Sequence, residues 1–169
     1  MGLFFRPSRL IVKSVLIAQF CIFSVQAEQV TKSAVAMPDS FSADTAQAIL
    51  EQGGNAVDAA IAAQFVLAVT LPEAGNIGGG GFMVIRFPDG QSTAIDFREK
   101  APLTSHPEMW LDETGEYSSD LHHRSHKAVG VPGTVAGFDK AHRLYGAASW
   151  VDLVQPAIEL AGEGFELSE

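Results

Sequence analysis

Asp96, Arg98, Glu99 and Lys100 stand together at the end of an apolar run, in "AIDFREK". A guanidinium at a strand end can grip a carboxylate through two parallel N–H donors, a planar match that an ammonium group lacks. Asp96 falls on the same strand face as Arg98 and could orient it. An ordinary surface ion pair of Arg98 with Asp96 or Glu99 is the simpler reading on residue chemistry alone. A second candidate is "HHRSH", where His122 and His126 have a spacing that suits a metal if the segment is helical. The surroundings are polar and turn-rich, and the acidic partner of a metalloprotease motif is missing. A solvated loop is therefore the default, and no metal or other cofactor is expected.

The four glycines Gly78 to Gly81 lead directly into the apolar run. They do not spell G-x-G-x-x-G, no strand leads into a helix there, and no Gly-Lys-Ser/Thr follows, so neither nucleotide fingerprint applies. They permit a tight backbone path, or the close approach of another segment to the start of a buried strand. A pure turn role and a ligand-approach role are about equally supported.

The elements that must position these residues can be read from periodicity. Val30 to Pro38 suggests a short strand. Ser40 or Ser42 can cap a helix running to about Gln52, with Ala46, Ile49 and Leu50 at helical spacing and Gly53-Gly54 as its stop. Asn55 can cap the next helix, with Asp58 as a capping-box acid, a better role for Asp58 than catalysis. The body of that helix is apolar nearly all round, which marks it as buried, and Pro72 closes it. "FMVIRF" and "QSTAIDF" flank "PDG", the pattern of a β-hairpin. The first of these runs is apolar on both faces and reads as a central strand. In the second, Thr93, Ile95 and Phe97 share one face, while Ala94, Asp96 and Arg98 share the other. The Arg98 face is thus lined by small or polar groups, which leaves space for a ligand. Ala101 to Gly133 reads as loop, Thr134 to Tyr145 as a helix stopped by Gly146, and Trp150 to Ala161 as a helix interrupted by Pro156. Ser168 is a candidate cap for a further helix.

With 47% hydrophobic and 18% charged residues, the chain has globular composition. Its formal charge of −9 argues against a nucleic-acid partner, which needs basic clusters to neutralise phosphates. Arg6, Arg9 and Lys13, the short apolar stretch Ser14 to Val25, and Val25-Gln26-Ala27 read as a secretory signal peptide over residues 1–27, cut after Ala27. The stretch is too short for a normal membrane span and carries Gln19. Residues 28–169 would then hold 8 of the 11 basic residues against all 20 acidic ones, a formal −12, and no cysteine. No thiolate metal site or cysteine nucleophile is open to such a chain, and no stable membrane association is expected.

Three long ordered segments, "GGNAVDAAIAAQFVLAVTLPEAGNIGGGGFMVIRF", "AIDFREKAP" and "VPGTVAGF", resemble the amino-terminal part of a γ-glutamyltranspeptidase large subunit. The resemblance covers about Ala34 to Glu169. It implies an α+β fold, the αββα sandwich of the amino-terminal-nucleophile hydrolases, of which this chain is the N-terminal segment only. It also implies a precursor that cuts itself into large and small subunits. The new terminal threonine of the small subunit attacks the γ-glutamyl amide of glutathione, and the glutamyl group passes to water or to an amino acid. The arginine of the family's "DFRE" segment binds the α-carboxylate of the γ-glutamyl group, which makes Arg98 the expected substrate-binding residue.

The family nucleophile lies in a Thr-Thr-His-type segment far beyond residue 169. Neither Gly133-Thr134 nor Val69-Thr70 is that segment, so no catalytic residue is expected in this chain, and alone it should be inactive. It reads as a truncated gene product or a partial sequence. Its expected partners are a γ-glutamyl substrate such as glutathione, the remainder of the large subunit, and the small subunit. Alternatives are a non-catalytic exported remnant or interaction module, or a segment of a related amide acylase. The expected location is periplasmic or secreted. Mass spectrometry of the exported protein should find Glu28 as its first residue, and a retained Met1 would refute the export reading.

Overall fold

The computed structural model describes residues 33–167. Their elements, in chain order, are α1 (Ser40–Glu51), α2 (Ala56–Thr70), β1 (Phe82–Arg86), β2 (Ser92–Asp96), α3 (Ser119–His123), a 3-10 turn (His126–Ala128), α4 (Thr134–Tyr145) and α5 (Trp150–Glu163). Residues 1–27, the expected signal peptide, and Ser168 lie outside the described residues. No described helix is long and apolar enough to cross a membrane.

Helix α2 is the axis of the fold. Nine of its 15 residues are buried, on every side, as its all-round apolar pattern requires. Ala59, Ala62 and Ala63 present little bulk, so α1 and α5 pack closely against it. Helix α4 lies on a further side and bridges to the antiparallel hairpin of β1 and β2. Aromatic edges tie these layers together. Phe65 of α2 meets Trp150 of α5 at 5.6 Å and Phe138 of α4 at 5.4 Å, and Phe138 meets Phe97 beyond β2 at 5.7 Å.

Both ends of α2 are held by carboxylates. At its start, the Asn55 side chain accepts from Val57 and Asp58 N–H, and Asp58 accepts from Asn55 N–H at 2.9 Å, which completes the capping box. Asp58 is fully buried and also accepts from Ala147 N–H at 3.0 Å and Ala148 N–H at 3.2 Å. Asn55 Nδ2 donates to the Tyr145 carbonyl at 2.7 Å. The α4–α5 connection is therefore sewn onto the positive end of α2. At the other end, Thr70 donates its hydroxyl to Asp39 Oδ2 at 2.6 Å. Asp39 in turn caps α1 by accepting from Ser42 N–H at 2.7 Å. Partial burial opposes ionisation of Asp39, but the hydrogen bonds from Ser42 and Thr70 outweigh it and hold its carboxyl below the usual carboxylate range.

Four expectations are corrected. The cap of α1 is Asp39, not Ser40 or Ser42, because the ionised carboxylate precedes the helix and is the stronger acceptor. Of the Val30 to Pro38 strand, the described residues from 33 onward pair with nothing, since the hairpin is a two-stranded sheet. Helix α5 runs through Pro156 to Glu163, because only the Asp152 carbonyl loses its partner and that residue is exposed. Among the described residues β1 is not central. Met83 and Ile85 face the core, while Phe82 and Val84 stand 64% and 77% exposed. The stop of α1 agrees with expectation, with Gly53 at φ +93° and Gly54 N–H returning to the Ile49 carbonyl at 2.9 Å, a Schellman closure.

Replacing Asp58 strands several buried N–H groups at once, and hydrogen bonds to a charged acceptor are each worth about 1.5–3 kcal/mol. Asp58→Ala should therefore lower stability by about 3 kcal/mol or more, read from the denaturant midpoint, with faster hydrogen exchange at Ala147 and Ala148. Asp44→Ala, on the exposed side of α1, should stay within about 0.5 kcal/mol of the parent.

Candidate functional site

Arg98 lies two residues beyond β2, on the outer face that period two assigned to it. The ladder continues past the formal strand end, with Phe97 N–H donating to the Gly81 carbonyl at 3.0 Å. This fixes Phe97 inward and Arg98 outward. Phe82 pairs with Asp96, so Phe82 and Arg98 are diagonal neighbours on the outer face. The guanidinium carbon stands 5.9 Å from the centre of the Phe82 ring, within reach of a cation–π contact.

The carboxylates around Arg98 divide their work. Asp96 Oδ1 accepts from the Arg98 backbone N–H at 2.9 Å, so it orients the main chain rather than the guanidinium. Glu99 Oε2 pairs with Arg98 Nε at 3.1 Å. This is Arg98's one ion pair among the described residues, and its side chain is 65% exposed. The pair with Glu99 realises the simpler reading of the sequence and is compatible with ligand binding, because it occupies the Nε side of the fork.

The glycines explain how the segment is gripped. None of Gly78 to Gly81 has a positive φ, so a turn conformation does not require them. Close approach does. A Cβ at Gly80 would lie 2.6 Å from the Phe97 carbonyl oxygen and 2.7 Å from the Glu99 nitrogen. On the opposite side, Gly133 meets the Phe97 carbonyl and Gly137 meets the Phe97 ring closely enough that neither position can carry a Cβ. The Phe97–Glu99 backbone is thus clamped between two glycine surfaces. The Gly79 carbonyl joins them by accepting from Gly133 N–H at 2.8 Å and Thr134 N–H at 3.1 Å. The role of Gly133 and Gly137 was missed in the sequence, although two glycines four apart at a helix start are a readable sign of close packing. What approaches the run Gly78 to Gly81 is the chain's own backbone.

Beside the clamp, Asp96, Arg98, Lys100, Gly133, Ala136 and Lys140 contribute to a cleft of about 260 Å³. Ile95, Phe97, Val131, Pro132 and Gly137 also line it, and Ala94 does not, so the cleft lies between the end of β2 and α4 rather than above the Ala94–Asp96–Arg98 face. Lys100 is fixed at its edge by a two-way backbone bridge to Val131, with bonds of 3.2 and 2.8 Å.

The other candidates are engaged structurally. The Thr134 hydroxyl donates to Asn76 Oδ1 at 3.1 Å, and Thr70 is tied to Asp39. The histidine segment is partly helical, not plain loop. His122 on α3 lies 2.8 Å from the Tyr117 hydroxyl through Nδ1 and stacks on Trp110 at 4.8 Å, while His126 sits on the separate 3-10 turn. Among the described residues, no group of three or more His, Cys, Asp or Glu side chains is placed to hold a metal.

A family model described as Gamma-glutamyltranspeptidase matches residues 42–169. The chain is 50% identical over 136 residues to the glutathione hydrolase proenzyme of Pseudomonas aeruginosa, covering 80% of this chain and 24% of that protein. It is 50% identical over 135 residues to the glutathione hydrolase proenzyme of Escherichia coli, covering 80% of this chain and 23% of that one. The chain therefore spans about a quarter of the length of these relatives. Among solved structures, the gamma-glutamyltranspeptidase from Pseudomonas nitroreducens complexed with L-DON superposes with a TM-score of 0.77 at 48% identity, over 83% of this chain and 42% of that one. A cephalosporin acylase from Bacillus halodurans shares the fold at a TM-score of 0.64 and 22% identity, over 87% of this chain and 28% of that one.

The clamp separates neighbouring glycines. Gly80→Ala should destabilise by about 1–3 kcal/mol through overpacking, and should speed hydrogen exchange at Phe97. Gly78→Ala meets no heavy atom within 4 Å and should remain within about 0.5 kcal/mol of the parent in the same denaturant titration.

Proposed function

Because the chain belongs to the γ-glutamyltranspeptidase family, we propose that it is the donor-anchoring N-terminal segment of an exported γ-glutamyltransferase and glutathione hydrolase. In this reading, the helices and the hairpin form part of one helical layer and one sheet of an αββα sandwich. Further strands of the large and small subunits cover the exposed Phe82 and Val84. A precursor cuts itself, and the terminal threonine so released in the small subunit attacks the γ-glutamyl amide. The glutamyl group then passes to water or to an amino acid. Removal of the signal segment leaves the protein in the periplasm.

The observation that carries the reading is the presentation of Arg98. It stands at the rim of a cleft, on a backbone clamped by glycines, with its one ion pair at Nε. A guanidinium held this way can offer its two outer nitrogens to the α-carboxylate of a γ-glutamyl group, a bidentate bond that fixes orientation as well as charge. Positioning the donor so that its γ-amide meets the nucleophile is this segment's contribution to catalysis. The nucleophile and the oxyanion donors belong to other parts of the enzyme.

Arg98→Lys keeps the charge and loses the paired geometry. In the enzyme assembled with the remainder of its subunits, it should raise KM for γ-glutamyl donors by about tenfold or more, since charge-assisted bonds are worth about 1.5–3 kcal/mol each. The turnover number and the thermal midpoint should change little. An unaltered donor KM would refute the assignment.

A further inference from the structure

We infer that Phe82 is a positioning residue for Arg98: its ring backs the guanidinium and aims the two outer nitrogens at the carboxylate of the donor. The inference rests on the donor-anchoring role proposed for Arg98 and names a side chain through which that role is set.

The register places the ring. Phe82 pairs with Asp96, and the ladder runs on through Gly81 and Phe97, where Phe97 N–H donates to the Gly81 carbonyl at 3.0 Å. Gly78 to Gly81 carry no side chains, so Phe82 is the first side chain of β1 that Arg98 meets on the outer face. The guanidinium carbon lies over its ring, 5.9 Å from the centre. Phe82 takes no part in the core, to which Met83 and Ile85 of the same strand contribute. Core packing therefore does not account for a large aromatic residue at this position.

The chemistry of a ring suits the task. An arginine offers N–H donors at Nε and at its two outer nitrogens. Glu99 takes the donor at Nε, at 3.1 Å. Gly80 gives that carboxylate its room, since a Cβ there would lie 2.8 Å from Glu99 Oε2. Asp96, the cross-strand partner of Phe82, accepts from the Arg98 backbone N–H at 2.9 Å and leaves the guanidinium alone. The ring attracts the cation through its π face and accepts no in-plane N–H. A carboxylate or amide in its place would take one. Glu99 at the Nε side and Phe82 behind the plane thus restrain the guanidinium, while its outer edge stays open to a carboxylate in the planar, paired geometry.

The experiment measures KM and kcat for γ-glutamyl-p-nitroanilide in the assembled enzyme. Phe82→Leu keeps an apolar side chain for whatever strand covers this face and removes the π-system. It should raise donor KM about three- to fivefold, the loss expected from one partly desolvated cation–π contact, with kcat little changed. Phe82→Tyr keeps the ring and should retain the parent KM. Val84→Leu, farther along the same outer face, should also retain it, which separates positioning from general packing. In an Arg98→Gln background there is no cation to position, so adding Phe82→Leu should lower kcat/KM no further. A KM unchanged by Phe82→Leu, or an equal loss with and without Arg98→Gln, overturns the positioning role and leaves that of Arg98 intact. Should Phe82→Leu fail to assemble, Phe82→Met, also apolar and ringless, takes its place in the same comparison. A donor kcat/KM unaffected by Arg98→Gln overturns the donor-anchoring reading, and this inference with it.

Discussion

Asp58 is a side chain sealed from solvent, with no cation paired to it among the described residues. A buried charge left in that condition is among the most costly features a protein can carry. Here backbone N–H groups of Asn55, Ala147 and Ala148 take the place of a countercharge, at the positive end of α2. One donor belongs to the cap of α2 and the others to the α4–α5 connection, so that connection cannot lift away without uncovering Asp58. Gly146 makes room for this, since a Cβ there would stand 2.9 Å from Asp58 Oδ1. Fixing that connection fixes α4 against α2. Because α4 supplies the floor beneath the Arg98 segment, the geometry of the cleft follows from a hydrogen-bonding arrangement at the far end of the helix.

The aromatic series Trp150, Phe65, Phe138 and Phe97 carries the same constraint through the interior. Phe97 is its last member and directly precedes Arg98. Its ring is held by Gly137 and its backbone by Gly80 and Gly133. Arg98 therefore stands on a residue that belongs to the core, although its own side chain lies mostly in solvent. Precision at the site comes from the residue before it.

Local signals were legible in the sequence wherever the physics is local. The Asn55–Asp58 capping box, the "PDG" hairpin and the alternation that sends Arg98 outward all depend on neighbours a few residues apart. The grip of Asp58 on Ala147 and Ala148 spans about ninety positions, and no pattern near Asp58 announces it. Gly133 and Gly137 stayed unread for a similar reason, since the segment they admit is fixed only once β2 lies against α4. The apolar character of β1 on both faces was plain, but whether a two-sided strand is central depends on what lies beside it. Phe82 and Val84 remain uncovered among the described residues. Pro156 shows the opposite error, in which a local rule was applied where one lost hydrogen bond on an exposed flank is tolerated.

The clamp of Gly133 and Gly137 on Phe97 has a thermodynamic consequence. Neither glycine has a χ angle to order, so seating Phe97 against them freezes no rotamer on the α4 side. The entropy of holding a ligand then falls mainly on the long Arg98 side chain, which has several rotatable bonds. Contact with Glu99 and with the Phe82 ring already orders part of it. An anion that reaches the guanidinium therefore meets a side chain whose freedom is partly spent before binding.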